Sequence, residues 1–207
     1  MEADGTISVE GLGTPFFAPG SARFVQMQQV WDNWSGLILG AASAHGVPPT
    51  WILAVICQET GLWSGNPQEQ ATKVAPDGGL GLMQIMPATA RAFGSSPEAM
   101  LDPQANIDVG VALLAKLSEA HGGELPEIVA NYNAGGVRCG SATNPWNMVM
   151  SGDYAGDVVR WVNSAVMYLD LSPRRGPLLA GLAVGGAGLY AAAVIAGVTQ
   201  LPRFLRR

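Results

Sequence analysis

Residues 51–65 read WILAVICQETGLWSG. Ile52, Val55 and Ile56 recur at the three- and four-residue steps of one helical face, and the next position in that series is Glu59. A carboxylate therefore stands where another aliphatic side chain would close the stripe, with Gly61 just beyond it as a helix stop. If that face packs inward, loss of water disfavours the charged form and raises the pKa of Glu59. A place in the last helical turn adds the negative end of the helix dipole, which pushes the same way. A carboxyl still protonated near neutral pH can give its proton to a leaving group. The same spacing also fits a Glu at a frayed helix end with its head in solvent, and periodicity alone does not separate the two.

Working outward, the pattern is helical on both sides. Ser21 is a fitting N-cap for a stripe of Phe24, Met27, Val30, Trp31, Trp34, Leu37 and Ile38 that runs to about Ser43. Gly46-Val47-Pro48-Pro49 breaks it, and Thr50 is expected to cap the helix that carries Glu59. Residues 64–80 are polar with Gly and Pro and read as an exposed loop. Pro87 opens a short helix that stops at Gly94. A longer helix after Asp102 puts Ile107, Val111, Leu114 and Leu117 on one face and closes at Gly122-Gly123. A short helix is expected over Pro126–Tyr132, and another over Tyr154–Leu169 with Val158, Trp161, Val162, Ala165 and Tyr168 at helical spacing. No stretch alternates convincingly with period two, so the expected class is all-α or mainly α.

The totals remove several functions. A formal charge of −5, with 13% charged residues, lacks the basic stripe of a nucleic-acid binder, and no nucleic-acid partner is expected. Two His and two Cys are too few and too scattered for a zinc site, so neither metal nor cofactor is expected. The phosphate-loop, dinucleotide, serine-hydrolase and HExxH signatures are missing.

The ends of the chain are unlike its middle. Residues 1–20, MEADGTISVEGLGTPFFAPG, are acidic, broken by Gly and Pro, and have neither the basic nor the apolar region of a secretory signal. Residues 176–202 carry no charged side chain and exceed the roughly 20 apolar residues a spanning helix needs. Arg174 and Arg175 precede this run, and Arg203, Arg206 and Arg207 follow it. A buried soluble helix is the alternative, but an uncharged terminal stretch of this length favours a membrane anchor. The expected organisation is an extended segment over 1–20, a helical domain over 21–172 and an anchor with basic flanks over 173–207. The span itself covers 177–201.

Four segments then fall in a telling order: ICQETGLWSG from Ile56, GGLGLMQIMPATARAFG from Gly78, LDPQANIDVGVALLAKL from Leu101 and ANYNAGG from Ala130. Over roughly residues 47–135 their order and spacing resemble the lytic transglycosylase family, which is similar to goose-type lysozyme. That family's pattern is a catalytic Glu followed by Ser or Thr, then GLMQ-x-x-P-x-T, then DP-x-x-NI, then AYNAG. The resemblance implies a lysozyme-like helical fold and cleavage of peptidoglycan glycan between N-acetylmuramic acid and N-acetylglucosamine. It makes Glu59 the catalytic acid and puts Thr60 in place of the usual Ser. It makes Gly81, Leu82, Met83 and Gln84 the segment lining the cleft, with Met83 and Gln84 on the sugar. Tyr132 and Asn133 match the Tyr-Asn pair, with the Tyr132 hydroxyl expected close to the catalytic carboxyl, and Tyr154 aligns with a later Tyr of the pattern. Singly, Met83 reads as well as a core filler, Gln84 as a loop amide and Tyr132 as a helix-end aromatic.

Two departures stand out. The interval from Glu59 to Gln84 is long, which marks NPQEQATKVAPDGG, residues 66–79, as carrying an insertion. After YNAG the chain reads GVRCGSATNPWNMVMSGDYAGDVVRW, where the family often has a proline-rich stretch before a Glu-Thr-x-x-Tyr-Val helix.

The resemblance implies a single working carboxyl and a 1,6-anhydro product formed without water. Hydrolysis by a true lysozyme is the near alternative, with Asp77 or Glu69 holding a water, and a non-catalytic glycan-binding module is the alternative from another class. Since both motifs converge on the cleft, Cys57 and Cys139 could approach each other; a buried free thiol at Cys57 and a disulfide both remain open. A wall enzyme with a C-terminal anchor and no signal is expected to be delivered in a phage virion with an internal membrane. An envelope secretion or conjugation machine is the alternative setting, and virion or envelope-complex proteins are the expected further partners.

Overall fold

The Ser21 hydroxyl accepts from the Phe24 N–H and starts helix α1 (Ala22–His45), which Gly46 ends in the left-handed conformation at φ 68°. The computed structural model describes residues 6–7, 16–61, 64–134 and 154–171. Ahead of α1, two short strands, β1 (Thr6–Ile7) and β2 (Phe16–Phe17), pair antiparallel with Thr6 opposite Phe17. The part of the expected extended segment that is described thus holds a small sheet, which its Gly-broken sequence gives no period to reveal.

Helix α2 (Pro49–Ile56) runs through the middle of the molecule between α1 and α7 (Tyr154–Leu171). Every residue from Ile52 to Ile56 is fully buried, so this helix has no solvent face. Each large aliphatic side chain withdrawn from water contributes about 1.5–3 kcal/mol, enough to make α2 the centre of the core. Pro49 occupies its first turn, where its missing N–H costs nothing. The cap expected at Thr50 is not made: Pro48 is the N-cap residue, and the buried Thr50 hydroxyl has no hydrogen-bond partner among the described residues. A proline pair pre-shapes this helix start, so no side-chain cap is needed.

Residues 64–80 are only in part the expected exposed loop. They include α3 (Pro67–Ala71), capped by Asn66, and the buried Gln70, which accepts from the Trp34 indole N–H at 3.1 Å and donates to the Ser64 carbonyl. The chain continues through α4 (Pro87–Ala92), a 3-10 turn (Glu98–Leu101), α5 (Pro103–Ala120) and α6 (Leu125–Ala134). Asp102 caps α5 through the Ala105 N–H at 2.9 Å. Helix α5 packs on α1 and α6, and α6 packs on α7, which returns to α2. On α7, Trp161 stacks obliquely on Phe17 with ring centroids 4.4 Å apart, and the Ser164 hydroxyl accepts from the Phe17 N–H.

The described residues are mainly helical, as expected. Among them no helix is long and apolar enough to cross a membrane. The apolar run at 176–202, and Cys139, lie outside the described residues. Cys57 is buried with a free thiol.

Candidate active site

Glu59 does not sit in an α-helical turn. Residues Cys57–Gly61 form one turn of π-helix at the end of α2, the kind of bulge that recurs at functional positions. A local cause is visible in Thr60. Its hydroxyl lies 3.3 Å from the Ile56 carbonyl and 3.0 Å from the Leu82 carbonyl. A hydroxyl bonding the carbonyl four residues back competes with the main-chain ladder, and the second contact ties the turn to another segment.

Three elements, α7, α6 and the loop before α4, bring side chains toward Glu59 and its turn. From α7, the Tyr154 hydroxyl donates to its Oε1 at 2.6 Å. One residue before Glu59, the Gln58 side-chain oxygen accepts from the Trp161 indole N–H at 3.0 Å, so α7 grips the π-turn twice. From the loop before α4, Lys73 Nζ donates to the Glu59 main-chain carbonyl at 2.7 Å. From α6, the Tyr132 hydroxyl reaches the Met83 carbonyl at 2.7 Å. It is Tyr154, then, and not Tyr132, whose hydroxyl bonds the acid. Tyr132 is one position removed, close enough that the Glu59 charge adds to the burial raising its own pKa.

The pKa of Glu59 is raised to about 7. Burial is the main cause; the Tyr154 hydrogen bond and the Lys73 charge oppose it, and the Asp77 charge adds to it. Tyr154 is pushed well above the ordinary tyrosine value by burial and by Glu59 itself. It therefore stays a neutral phenol and a donor across the working range. Glu59 nonetheless keeps part of its surface in solvent. It is desolvated but within reach of a ligand.

The segment Gly81–Gln84 is shaped by constraints that its letters show only in part. Gly81 has φ 67°, and a Cβ there would collide with the Met100 carbonyl and the Asn106 amide. Gln84 is also left-handed, at φ 50°, and its amide donates to the Gly81 carbonyl at 2.6 Å. Asn106 of α5 is fully buried and makes three bonds: it accepts from the Met83 N–H and donates to the Leu80 and Met100 carbonyls, each at 2.8 Å. A buried polar side chain so fully used fixes the path of the loop.

The expected site residues divide accordingly. Tyr154 and Tyr132 gather around Glu59, and Gln84 lies in the loop that Thr60 ties to the π-turn through the Leu82 carbonyl. Thr60, Leu82 and Met83 have no exposed surface, so the expected sugar contact of Met83 is not available to its side chain. The reason is Gly110, whose missing Cβ leaves the space the Met83 thioether fills. Asn133 is exposed on α6. Asp77 is near enough to act on the Glu59 charge, whereas Glu69 is exposed and accepts from the Ser64 hydroxyl. Sequence reasoning assigned no role to Asn106, Lys73, Gln58 or Trp161. Asn106 left a signal as the Asn of the DP-x-x-NI motif, and Trp161 only as part of an apolar stripe. Among the described residues no three His, Cys, Asp or Glu side chains gather as a metal site would require.

The transglycosylase SLT domain family matches residues 36–145, more than half of the chain and all of α2, the π-turn and the Gly81–Gln84 loop. The chain belongs to this family. Among its SLT relatives, the soluble lytic murein transglycosylase of Escherichia coli (strain K12) is 32% identical over 123 residues, covering 52% of this chain and 18% of that one. The transglycosylase of Enterobacteria phage PRD1 is 33% identical over 127 residues, covering 60% of this chain and 42% of its own. The solved 70 kDa soluble lytic transglycosylase of Escherichia coli superposes with a TM-score of 0.55 at 24% identity, over 65% of this chain and 24% of that chain. An inactive glutamate-to-glutamine mutant of the lytic transglycosylase Slt from Pseudomonas aeruginosa gives 0.50 at 26% identity, over 66% and 24%. The chain thus spans well under half the length of each of these relatives.

Proposed function

We propose that this SLT-family chain is a peptidoglycan lytic transglycosylase with Glu59 as its one acid and base. The observation that carries the reading is a carboxyl with a pKa of about 7 beside a neutral tyrosine hydroxyl, in a family whose relatives are named for this reaction. Glu59 would give its proton to the glycosidic oxygen as the bond to C1 of N-acetylmuramic acid breaks, releasing the 4-hydroxyl of N-acetylglucosamine. The sugar's own N-acetyl carbonyl would steady the positive charge at C1, a substrate-assisted route outside the usual two-carboxylate scheme. Glu59, now ionised, would take the proton of the C6 hydroxyl as O6 bonds to C1. The product is a 1,6-anhydro end, no water is consumed, and Glu59 returns protonated. A pKa near the working pH suits a group that must first give and then accept a proton.

Gln84 and the hydroxyls of Tyr132 and Tyr154 are the proposed sugar-facing groups, with Asn133 at the rim. Gly81, Leu82, Met83 and Thr60 are assigned to shaping the groove from within. That the Pseudomonas relative is inactive as a glutamate-to-glutamine mutant fits a single essential carboxyl. Hydrolysis is the second reading, supported by Asp77, whose charge is felt at Glu59 and which could orient a water. Mass spectrometry of digested peptidoglycan separates the two: anhydro-muramic ends are expected, and reducing ends alone would establish hydrolysis.

For the setting, we propose a domain over residues 21–172 held to a membrane by residues 177–201 and carried in a phage particle, where it opens the wall for genome entry. The uncharged run and the phage relative support this; a cell-envelope secretion or conjugation machine is the alternative. The chain is expected in purified virions and in their lipid fraction after flotation. Recovery only from the periplasm of uninfected cells would overturn that setting.

A further inference from the structure

The reading of Glu59 as proton donor leaves Lys73 without an assigned part, although it touches the same residue. The carbonyl of Glu59 lies in the π-turn that ends α2, where carbonyls in general need donors from outside the helix. Lys73 Nζ fills that need at 2.7 Å from 14 residues further along the chain. A charged donor on a carbonyl is among the stronger hydrogen bonds. The Lys73 main chain is itself fixed: its carbonyl accepts from the Gly81 N–H at 2.8 Å, and its neighbour Val74 bridges to Leu80. Gly81 is the residue braced by Asn106 and Met100. Lys73 therefore connects the loop that would hold sugar to the turn that holds the acid.

We propose that Lys73 is a positioning residue for the proton transfers of Glu59, pinning the π-turn through the Glu59 carbonyl and standing beside its carboxyl as a counter-charge. This rests on the enzymatic reading above. Among the described residues, the titratable groups facing Glu59 are Tyr154 from α7, Tyr132 from α6, and Lys73 and Asp77 from the loop; α2 brings no titratable side chain, and the buried Cys57 thiol is held neutral, its pKa raised by burial. Of these only Lys73 carries positive charge. Burial lowers the Lys73 pKa, and the charges of Glu59 and Asp77 oppose that shift. Lys73 and Asp77 act on Glu59 in opposite directions. The ammonium steadies the carboxylate between the two half-reactions, and the aspartate keeps it from becoming too weak a base.

The chain has two lysines, Lys73 and Lys116, so protein labelled with 13Cε-lysine shows two side-chain resonances. The Lys73 resonance is expected to step at the pH where Glu59 titrates, and to lose that step in Glu59→Gln. With 13Cδ-glutamate labelling, Lys73→Met is expected to raise the Glu59 midpoint by roughly one pH unit, Lys73→Arg to stay near wild type and Asp77→Asn to lower it. The high-pH limb of kcat/KM should move with each midpoint. A Lys73 resonance blind to Glu59, or an unmoved midpoint in folded Lys73→Met, overturns the proposal. A wild-type chain that shows the step yet leaves glycan intact would overturn the enzymatic reading and not the link between the two residues.

Discussion

Replacing Glu59 with Gln is expected to abolish glycan cleavage and, at the same time, to make the folded protein more stable at neutral pH. The first effect follows from the proposed role, in which Glu59 gives the proton in the first step and takes one back in the second. A single general acid is worth about 10²–10⁴-fold, and a residue acting twice sits at the upper end. The second effect follows from linkage. The folded pKa of about 7 lies above the ordinary 4.5, so the native state binds the proton more tightly than the unfolded chain. That contribution is complete below the unfolded value and is lost as pH rises from about 4.5 through about 7. Above that window the ionised carboxyl costs the fold roughly 3 kcal/mol. Gln carries no such cost, and its Oε1 can still accept from Tyr154, although its amide must find a partner. Urea unfolding at pH 8 and pH 4 checks this. The variant should gain stability at pH 8 and lose the advantage at pH 4. Full cleavage by the variant would remove Glu59 from its role. An equal stability difference at both pH values would mean that its carboxyl is not desolvated.

The stripe of Ile52, Val55, Ile56 and Glu59 pointed to a desolvated carboxyl through an incomplete picture. Helix α2 is buried on every side, so its periodicity does not distinguish a face. The π-turn also rotates Glu59 away from the direction that α-helical spacing implies. What could be read was chemistry in the wrong place: an acid at the end of an aliphatic run. The helix start at Ser21 was legible because a cap needs only neighbouring residues. Thr50 misled because two prolines do the same work without a side chain. Met83 and Gly110 are 27 positions apart, and a missing Cβ on one helix filled by a thioether from a loop has no local signature. Lys73 was hidden for the same reason, since the reach of a long side chain depends on a loop path set elsewhere. The four motifs marked the candidate site, whereas the roles proposed within it draw on contacts between segments.

Asn106 carries the other large expected effect. Asn106→Leu keeps nearly the same volume but strands the Met83 N–H and the Met100 carbonyl; the Leu80 carbonyl keeps its bond from the Ile85 N–H. Each buried unpaired group costs about 1–3 kcal/mol, so a loss of roughly 2–5 kcal/mol is expected. At about 2–4 °C per kcal/mol for a domain of this size, thermal unfolding should fall by roughly 10 °C. Activity should fall further than stability explains, because the same loop gives Tyr132 and Thr60 their acceptors at Met83 and Leu82. Asn106→Asp separates hydrogen bonding from packing. It keeps the oxygen that accepts from Met83 but turns a second oxygen toward two carbonyls. Burial and those carbonyls would raise its pKa above that of an unfolded Asp, since only the protonated form can donate to one of them. The Asp variant should therefore be most stable below about pH 4 and lose stability as pH rises through its raised folded pKa. A variant whose deficit did not change with pH would show that Asn106 serves by its shape and not by its amide protons.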